Sequence, residues 1–168
     1  MRGAVDKEQP DMIIYLGDGI ADAEEVEKKY PNIQMIKTLG NMDSKKEDEE
    51  WIKYAEICGK RFMMTHGHTF CSETAFAQSG VADARRIMHQ SILSFMLENN
   101  IDITLHGHIH EPFIYNHGMG QSKHGWIFCP GRIGRVANYT GPVKPIYGVL
   151  KIKESGALEW QFVEADWA

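Results

Sequence analysis

Residues 101–105 form a short apolar run that passes directly into His106-Gly107-His108-Ile109-His110. A run of this length, rich in β-branched residues, reads as a buried strand. Its end presents imidazoles from a loop in which Gly107 lets the backbone pass close to whatever they hold. A chain that delivers chemistry at the end of a buried strand is constrained toward an α/β sheet, which places its ligands at the carboxyl ends of its strands. The alternating histidines suit a metal, because neutral imidazole is a ligand for Zn, Mn, Fe and Ni. By itself, the segment weighs a metal site evenly against a histidine-rich loop without a ligand.

Three other strand ends shift that balance. Residues 12–16 are continuously apolar and stop at Gly17-Asp18-Gly19; residues 33–39 stop at Gly40-Asn41-Met42-Asp43. The second arm of a hairpin, residues 61–65 after the turn Cys58-Gly59-Lys60, runs into His66-Gly67-His68. Singly, Asp18 is a turn or helix-cap residue, Asn41 a turn residue and His66 a hydrogen-bonded core histidine. Together the four ends supply Asp18, Asn41, His66, His108 and His110 in order. A carboxylate can bridge two cations, an amide carbonyl is a neutral hard donor, and imidazoles complete the shell. That mixture suits one or two divalent transition metals, with Mn placed ahead of Zn, Fe and Ni, rather than Ca. His68 and His106, at the same strand ends, are the candidate catalytic residues, as groups able to move a proton.

The remaining chain supports an α/β reading. Residues 1–9 suit a short helix, and residues 22–30 suit another, opened by Asp22 with Glu25 and closed by Pro31. Residues 70–80 read as a loop with a short helical turn. Residues 81–99 form the strongest helical pattern, with Ala84, Met88, Ile92 and Phe95 as the apolar stripe and Arg85, Arg86, His89 and Gln90 facing away. Strands are expected over 112–115, 126–129, 146–153 and 157–164, with His117 and His124 on the surface. Pro130-Gly131-Arg132 with Arg135 is a basic loop read first as ordinary surface arginine, although its arginines could steady a phosphate.

At 168 residues the chain is expected to be a single domain, 1–168. No apolar run approaches the roughly 20 residues of a membrane span, and residues 1–11 suit neither a signal peptide nor an anchor, so a cytoplasmic location is expected. Cys58, Cys71 and Cys129 are odd in number and widely spaced, which suits reduced thiols. A net charge of -5 gives no general attraction to nucleic acid.

The ordered set of Asp18, Asn41, His66-Gly67-His68 and Gly107-His108-Ile109-His110 resembles the calcineurin-like metallophosphoesterases, among them the small bacterial and archaeal phosphodiesterases. The resemblance runs from Asp11 to about Lys153. It implies a two-sheet α/β sandwich and hydrolysis of a phosphodiester by water activated on metal. By resemblance, Asp18 would bridge two metals, Asn41, His66 and His108 would complete one site, and His110 would belong to the other. Two departures stand out. No Asp-x-His motif precedes Asp18, which implies that the family's first strand is missing or replaced and the domain N-terminally short. Met42 stands where many relatives carry a histidine. The resemblance therefore admits a second reading, a catalytically impaired member acting as a binding scaffold. Expected partners are a phosphate-ester substrate and a further copy of the chain covering the exposed sheet, with no membrane.

Overall fold

The computed structural model describes residues 1–44, 50–71, 73–118, 124–134 and 144–165, with the backbone alone for 73–84 and 124. Its elements, in order, are α1 (Arg2–Glu8), β1 (Met12–Tyr15), α2 (Ile20–Lys29), β2 (Gln34–Lys37), β3 (Ile52–Ile57) and β4 (Lys60–Thr65). A short 3-10 turn, His68–Phe70, leads to α3 (Glu73–Asn99), followed by β5 (Ile103–His106), β6 (Pro112–Gly118), β7 (His124–Pro130), β8 (Ile146–Ile152) and β9 (Leu158–Glu164).

The central sheet runs β3-β4-β5-β7-β6. Its inner pairs, β4-β5 and β5-β7, are parallel, and its outer pairs are antiparallel. Side chains on a strand alternate between faces, and here the alternation sorts the whole core. One face carries Phe62, Met64, Ile103, Leu105 and Phe128, which pack beneath Ile14, Leu16 and Ile36 and also beneath Leu150, Ile152, Leu158 and Trp160. The other carries Met63, Ile127 and Cys129, covered by Met88, Ile92 and Met96 of α3. The fold is therefore the expected α/β sandwich. Its second β layer consists of two separate pairs, the parallel β1-β2 and the antiparallel β8-β9, and among the described residues no strand joins them.

Several sequence expectations need correction. Helix α3 begins at Glu73 and runs through Gly80, eight residues before the expected start at Val81. A helical glycine costs only about 1 kcal/mol relative to alanine, so it does not break a helix of 27 residues. The buried stripe is Met88, Ile92 and Met96, spaced four apart, with Phe95 only partly buried and the side chain of Ala84 outside the described residues. His89, expected on the solvent face, instead stacks on Phe113 at a ring separation of 4.2 Å. His117 is half-buried beside Tyr115, the side chain of His124 lies outside the described residues, and so does Arg135. Among the described residues no helix is long and apolar enough to cross a membrane.

Phe128 ties the C-terminal pair to the central sheet: it is 1% exposed and lies parallel to Trp160 at 4.5 Å. Phe128→Ala is expected to cost about 3–5 kcal/mol in urea unfolding, against less than about 1 kcal/mol for Ile114→Ala, which is 40% exposed. Equal losses for the two would contradict this packing.

Candidate metal centre

Four loops at the strand ends meet through backbone contact rather than through side chains alone. After β1 the chain takes three consecutive left-handed residues, Gly17, Asp18 and Gly19, before α2 begins. A Cβ on Gly17 would stand 2.5 Å from the Gly40 amide nitrogen, and one on Gly40 would stand 2.5 Å from that of Asp18. Only glycine permits so close an approach. Asp43 then stitches the two loops together. Its carboxylate accepts the amides of Asp18 (2.8 Å), Gly19 (2.7 Å), Ile20 (2.9 Å) and Gly40 (2.9 Å), two of them at the N-terminus of α2. Burial pushes the Asp43 carboxyl up, but these four N–H groups outweigh it and hold the group below its ordinary value.

Asp18 is one quarter exposed and sits at φ 62°. Its Oδ1 accepts the Met42 amide at 3.0 Å, which directs Oδ2 toward His66 Nε2 at 3.2 Å. Burial pushes this carboxyl up, and the contact with His66, the Met42 amide and His108 bring it below the usual range. His66, buried at the end of β4, places Nδ1 2.7 Å from the Leu16 carbonyl oxygen. A carbonyl can only accept, so Nδ1 carries a proton. Nε2 faces the Asp18 carboxylate. His108 Nδ1 lies 3.2 Å from the same nitrogen.

Two acceptors at 3.2 Å repel unless something positive lies between them. The arrangement calls for a cation or for a proton on His66. The donor set fits a divalent transition metal: a carboxylate and two imidazoles, with neighbouring donors 3.2 Å apart, where two donors on one tetrahedral ion stand about 3.3 Å apart. Among the described residues no three His, Cys, Asp or Glu side chains already converge on one point, so the fit is one of donor type and neighbour spacing. Burial, then the neighbouring imidazoles of His66 and His68, lower His108 to about 4, so at neutral pH it is in the uncharged form that ligates metal.

The remaining expected site residues divide. His68 is half-buried with its ring 5.5 Å from His66 and 6.3 Å from His108. His110, at φ 58°, is exposed; burial of its ring and the charge of Arg132 lower its pKa, partly offset by Asp18. Asn41 is exposed on the loop beside Asp18. Non-glycine residues rarely hold positive φ, and Asp18, His108 and His110 all do so here.

His106 is placed elsewhere. It is the last residue of β5, it shares the α3 face with Thr104, and it is fully buried. The backbone turns over at His108 (φ 68°), so the three alternating histidines do not share one side. His106 Nδ1 donates to the Gly107 carbonyl at 2.9 Å, leaving Nε2 to accept from His89 Nε2 at 3.2 Å. The Gly107 carbonyl also takes the Ile109 amide at 2.8 Å, while the Gly107 amide bonds the His66 carbonyl at 3.0 Å. His106 is thus a support for the loop that presents His108, out of reach of a substrate. The roles of Asp43 and of His89, which the sequence placed on the solvent face, escaped the sequence reading; the offset of Asp43, three residues past Gly40, is a turn signal that gave no hint of its distant amides.

Residues 2–155 match the calcineurin-like phosphoesterase superfamily domain. Among solved structures, the chain is similar to a predicted phosphoesterase from Streptococcus pneumoniae TIGR4, with a TM-score of 0.67 and 19% identity over 97% of this chain and 80% of that one. It is also similar to Vps29 from Entamoeba histolytica complexed with zinc (0.63, 13%, 98% and 89%) and to Vacuolar Protein Sorting 29 from Cryptosporidium parvum (0.60, 15%, 99% and 87%). At these identities the likeness shows the fold alone. No curated protein matches the chain significantly.

The support pair titrates in a defined window. Burial, then the charge of Arg85, lower His89 to about 4 in the folded chain, against about 6.5 unfolded. The unfolded state therefore takes up a proton that the folded state refuses between these values, and stability is expected to fall as pH drops from 6.5 toward 4. His89→Gln keeps an N–H for His106 and should make that fall shallower in thermal unfolding across this window. An unchanged slope would contradict the assignment.

Proposed function

The chain belongs to the calcineurin-like phosphoesterase superfamily, and we propose that it is a metal-dependent phosphoesterase acting on phosphodiesters. Asp18, His66 and His108 are its principal metal-holding residues, with Asn41 and His110 contributing from the same loops. One observation carries the reading: with Nδ1 held by the Leu16 carbonyl, His66 Nε2 faces the Asp18 carboxylate at 3.2 Å and His108 Nδ1 at 3.2 Å. When bound, the cation would supply charge to neutralise a phosphoryl group and to make water nucleophilic. Mn is proposed first, with Zn, Fe and Ni compatible with the same donors.

The chain's own residues do the positioning. The Met42 amide on Oδ1 and the Leu16 carbonyl on Nδ1 fix Asp18 and His66, so neither must reorganise as charge develops. His68 stands beside the pair and is placed to donate a proton to a phosphate oxygen or to a leaving oxygen. Arg132 adds positive potential at His110 and favours an anionic substrate. Diesters with good leaving groups depend least on that proton from His68 and should react fastest.

Metal content by elemental analysis and hydrolysis of bis-p-nitrophenyl phosphate, measured on the same Mn-loaded sample, test this. The expected result is bound metal with turnover, and an Asp18→Ala variant that loses more than the roughly 10–100-fold that loss of an outer-shell partner costs. Turnover that survives Asp18→Ala would sink the assignment. Metal bound without turnover would favour the scaffold reading.

A further inference from the structure

Strand β6 is one edge of the central sheet: β7 pairs with it on one side, and among the described residues no strand pairs with the other. The opposite edge, β3, carries Lys53 and Glu56, charges of the kind that protect an edge from pairing. β6 has no Lys, Arg, Asp or Glu over its seven residues, and most of them are exposed. Ile114 on one face and Tyr115 on the other are each 40% exposed. The register decides which backbone groups this edge offers. Pro112 stands opposite Pro130, and neither has an N–H to exchange, so they form a pair without hydrogen bonds. Antiparallel pairs alternate between bonded and non-bonded. Phe113, Tyr115 and His117 therefore bond β7, whereas Ile114 and Asn116 direct N–H and C=O away from it, flanked by the Pro112 carbonyl and Gly118. The Trp126 amide obeys the same alternation: opposite Asn116, it turns from β6 and bonds the Asp102 carbonyl at 3.0 Å. Among the described residues, Ile114 and Asn116 make no backbone bond outside the strand ladder.

We propose that β6 pairs antiparallel with β6 of a second copy of this chain, about a two-fold axis through Tyr115, so that the two central sheets become one. In this register Ile114 stands opposite the partner's Asn116 and the two exchange both backbone bonds. Gly118 donates to the partner's Pro112 carbonyl, so the N–H that proline lacks is missed only at the ends of the pairing. Phe113, Tyr115 and His117 already stack along one face, with ring separations of 6.3 and 6.2 Å. The two-fold axis sets Tyr115 opposite its own copy and Phe113 opposite the partner's His117, aromatic cross-strand pairs that favour antiparallel strands. An isologous interface must not repel itself. A strand without fixed charge, whose outward groups are symmetric about its own middle residue, meets that condition, and an unrelated peptide would gain nothing from the symmetry. The inference is independent of the phosphoesterase reading.

Sedimentation of the full chain over a concentration series tests the proposal. A strand edge is a small interface, so the wild type should pass from monomer to dimer between about 1 and 100 μM. Ile114→Pro removes an outward N–H and spares the bonds to β7, so it should stay monomeric with an unchanged circular dichroism spectrum. Tyr115→Lys, which sets like charges at the axis, should also stay monomeric, and it decides the matter alone if the proline unfolds the chain. Cross-linking reads the register. A non-bonded antiparallel pair holds its Cα atoms about 4.5 Å apart, within reach of a disulfide. On mild oxidation in a Cys58→Ser background, Tyr115→Cys should therefore give a covalent dimer, and Ile114→Cys, which faces the partner's Asn116, should not. A wild type that remains monomeric at the highest concentration overturns the proposal. So does a dimer that survives both Ile114→Pro and Tyr115→Lys, or one that cross-links equally well through Ile114→Cys.

Discussion

A single hydrogen bond, from His66 Nδ1 to the Leu16 carbonyl, organises the rest of this site. It joins the end of β4 to the end of β1, two strands in different sheets of the sandwich. It also fixes the tautomer, and the tautomer decides which way the other nitrogen must act. With Nδ1 committed to donation, only Nε2 faces the carboxylate, in a place where burial leaves little water to separate them. The arrangement makes sense as half of a cation's coordination shell.

Holding that geometry requires backbones to approach where side chains would forbid it. A Cβ on Gly107 would stand 3.0 Å from the Leu16 oxygen, the same oxygen that receives His66, so the loop after β5 closes on the loop after β1 only because residue 107 is glycine. Gly17 and Gly40 play the same part between the loops after β1 and β2, and Asp43 supplies the hydrogen bonds that keep them there. On the far side of β5, His106 and His89 hold the Gly107 peptide from beneath. Burial lowers both rings, to about 3 and about 4, so both are neutral at neutral pH and the support carries no charge that would repel a cation. Burial likewise pushes the Cys129 thiol up to about 12, leaving it an uncharged donor 3.8 Å from the Gly107 carbonyl.

The parts of this structure that could be read from the sequence are those in which local pattern and tertiary role coincide. Asp18, His66 and His108 each follow an apolar strand and adjoin a glycine, and the structure brings them together. The β3-β4 hairpin and the strands β5 and β7 were equally plain. His106 was misleading because alternation was extended beyond the residue at which the strand ends; the positive φ at His108 inverts the direction, and nothing local announces it. Asp43 was passed over because its partners include Ile20, 23 residues earlier, and long-range capping leaves no mark in spacing. The start of α3 was hidden by Gly80, whose cost a long packed helix absorbs. Asn41 kept its place in the pattern, yet the structure leaves it exposed beside the site.

The central claim is that His66 Nε2 is an unprotonated donor aimed at a cation shared with Asp18 and His108. Long-range 1H–15N spectra of the imidazole rings, recorded during titration with Zn(II) at neutral pH, address it directly. The account predicts that His66 is protonated at Nδ1 throughout, and that its Nε2 and a nitrogen of His108 shift together as one equivalent of metal is added, with His106 and His89 unmoved. A His66 ring that carries its proton on Nε2, or that ignores zinc, would contradict it.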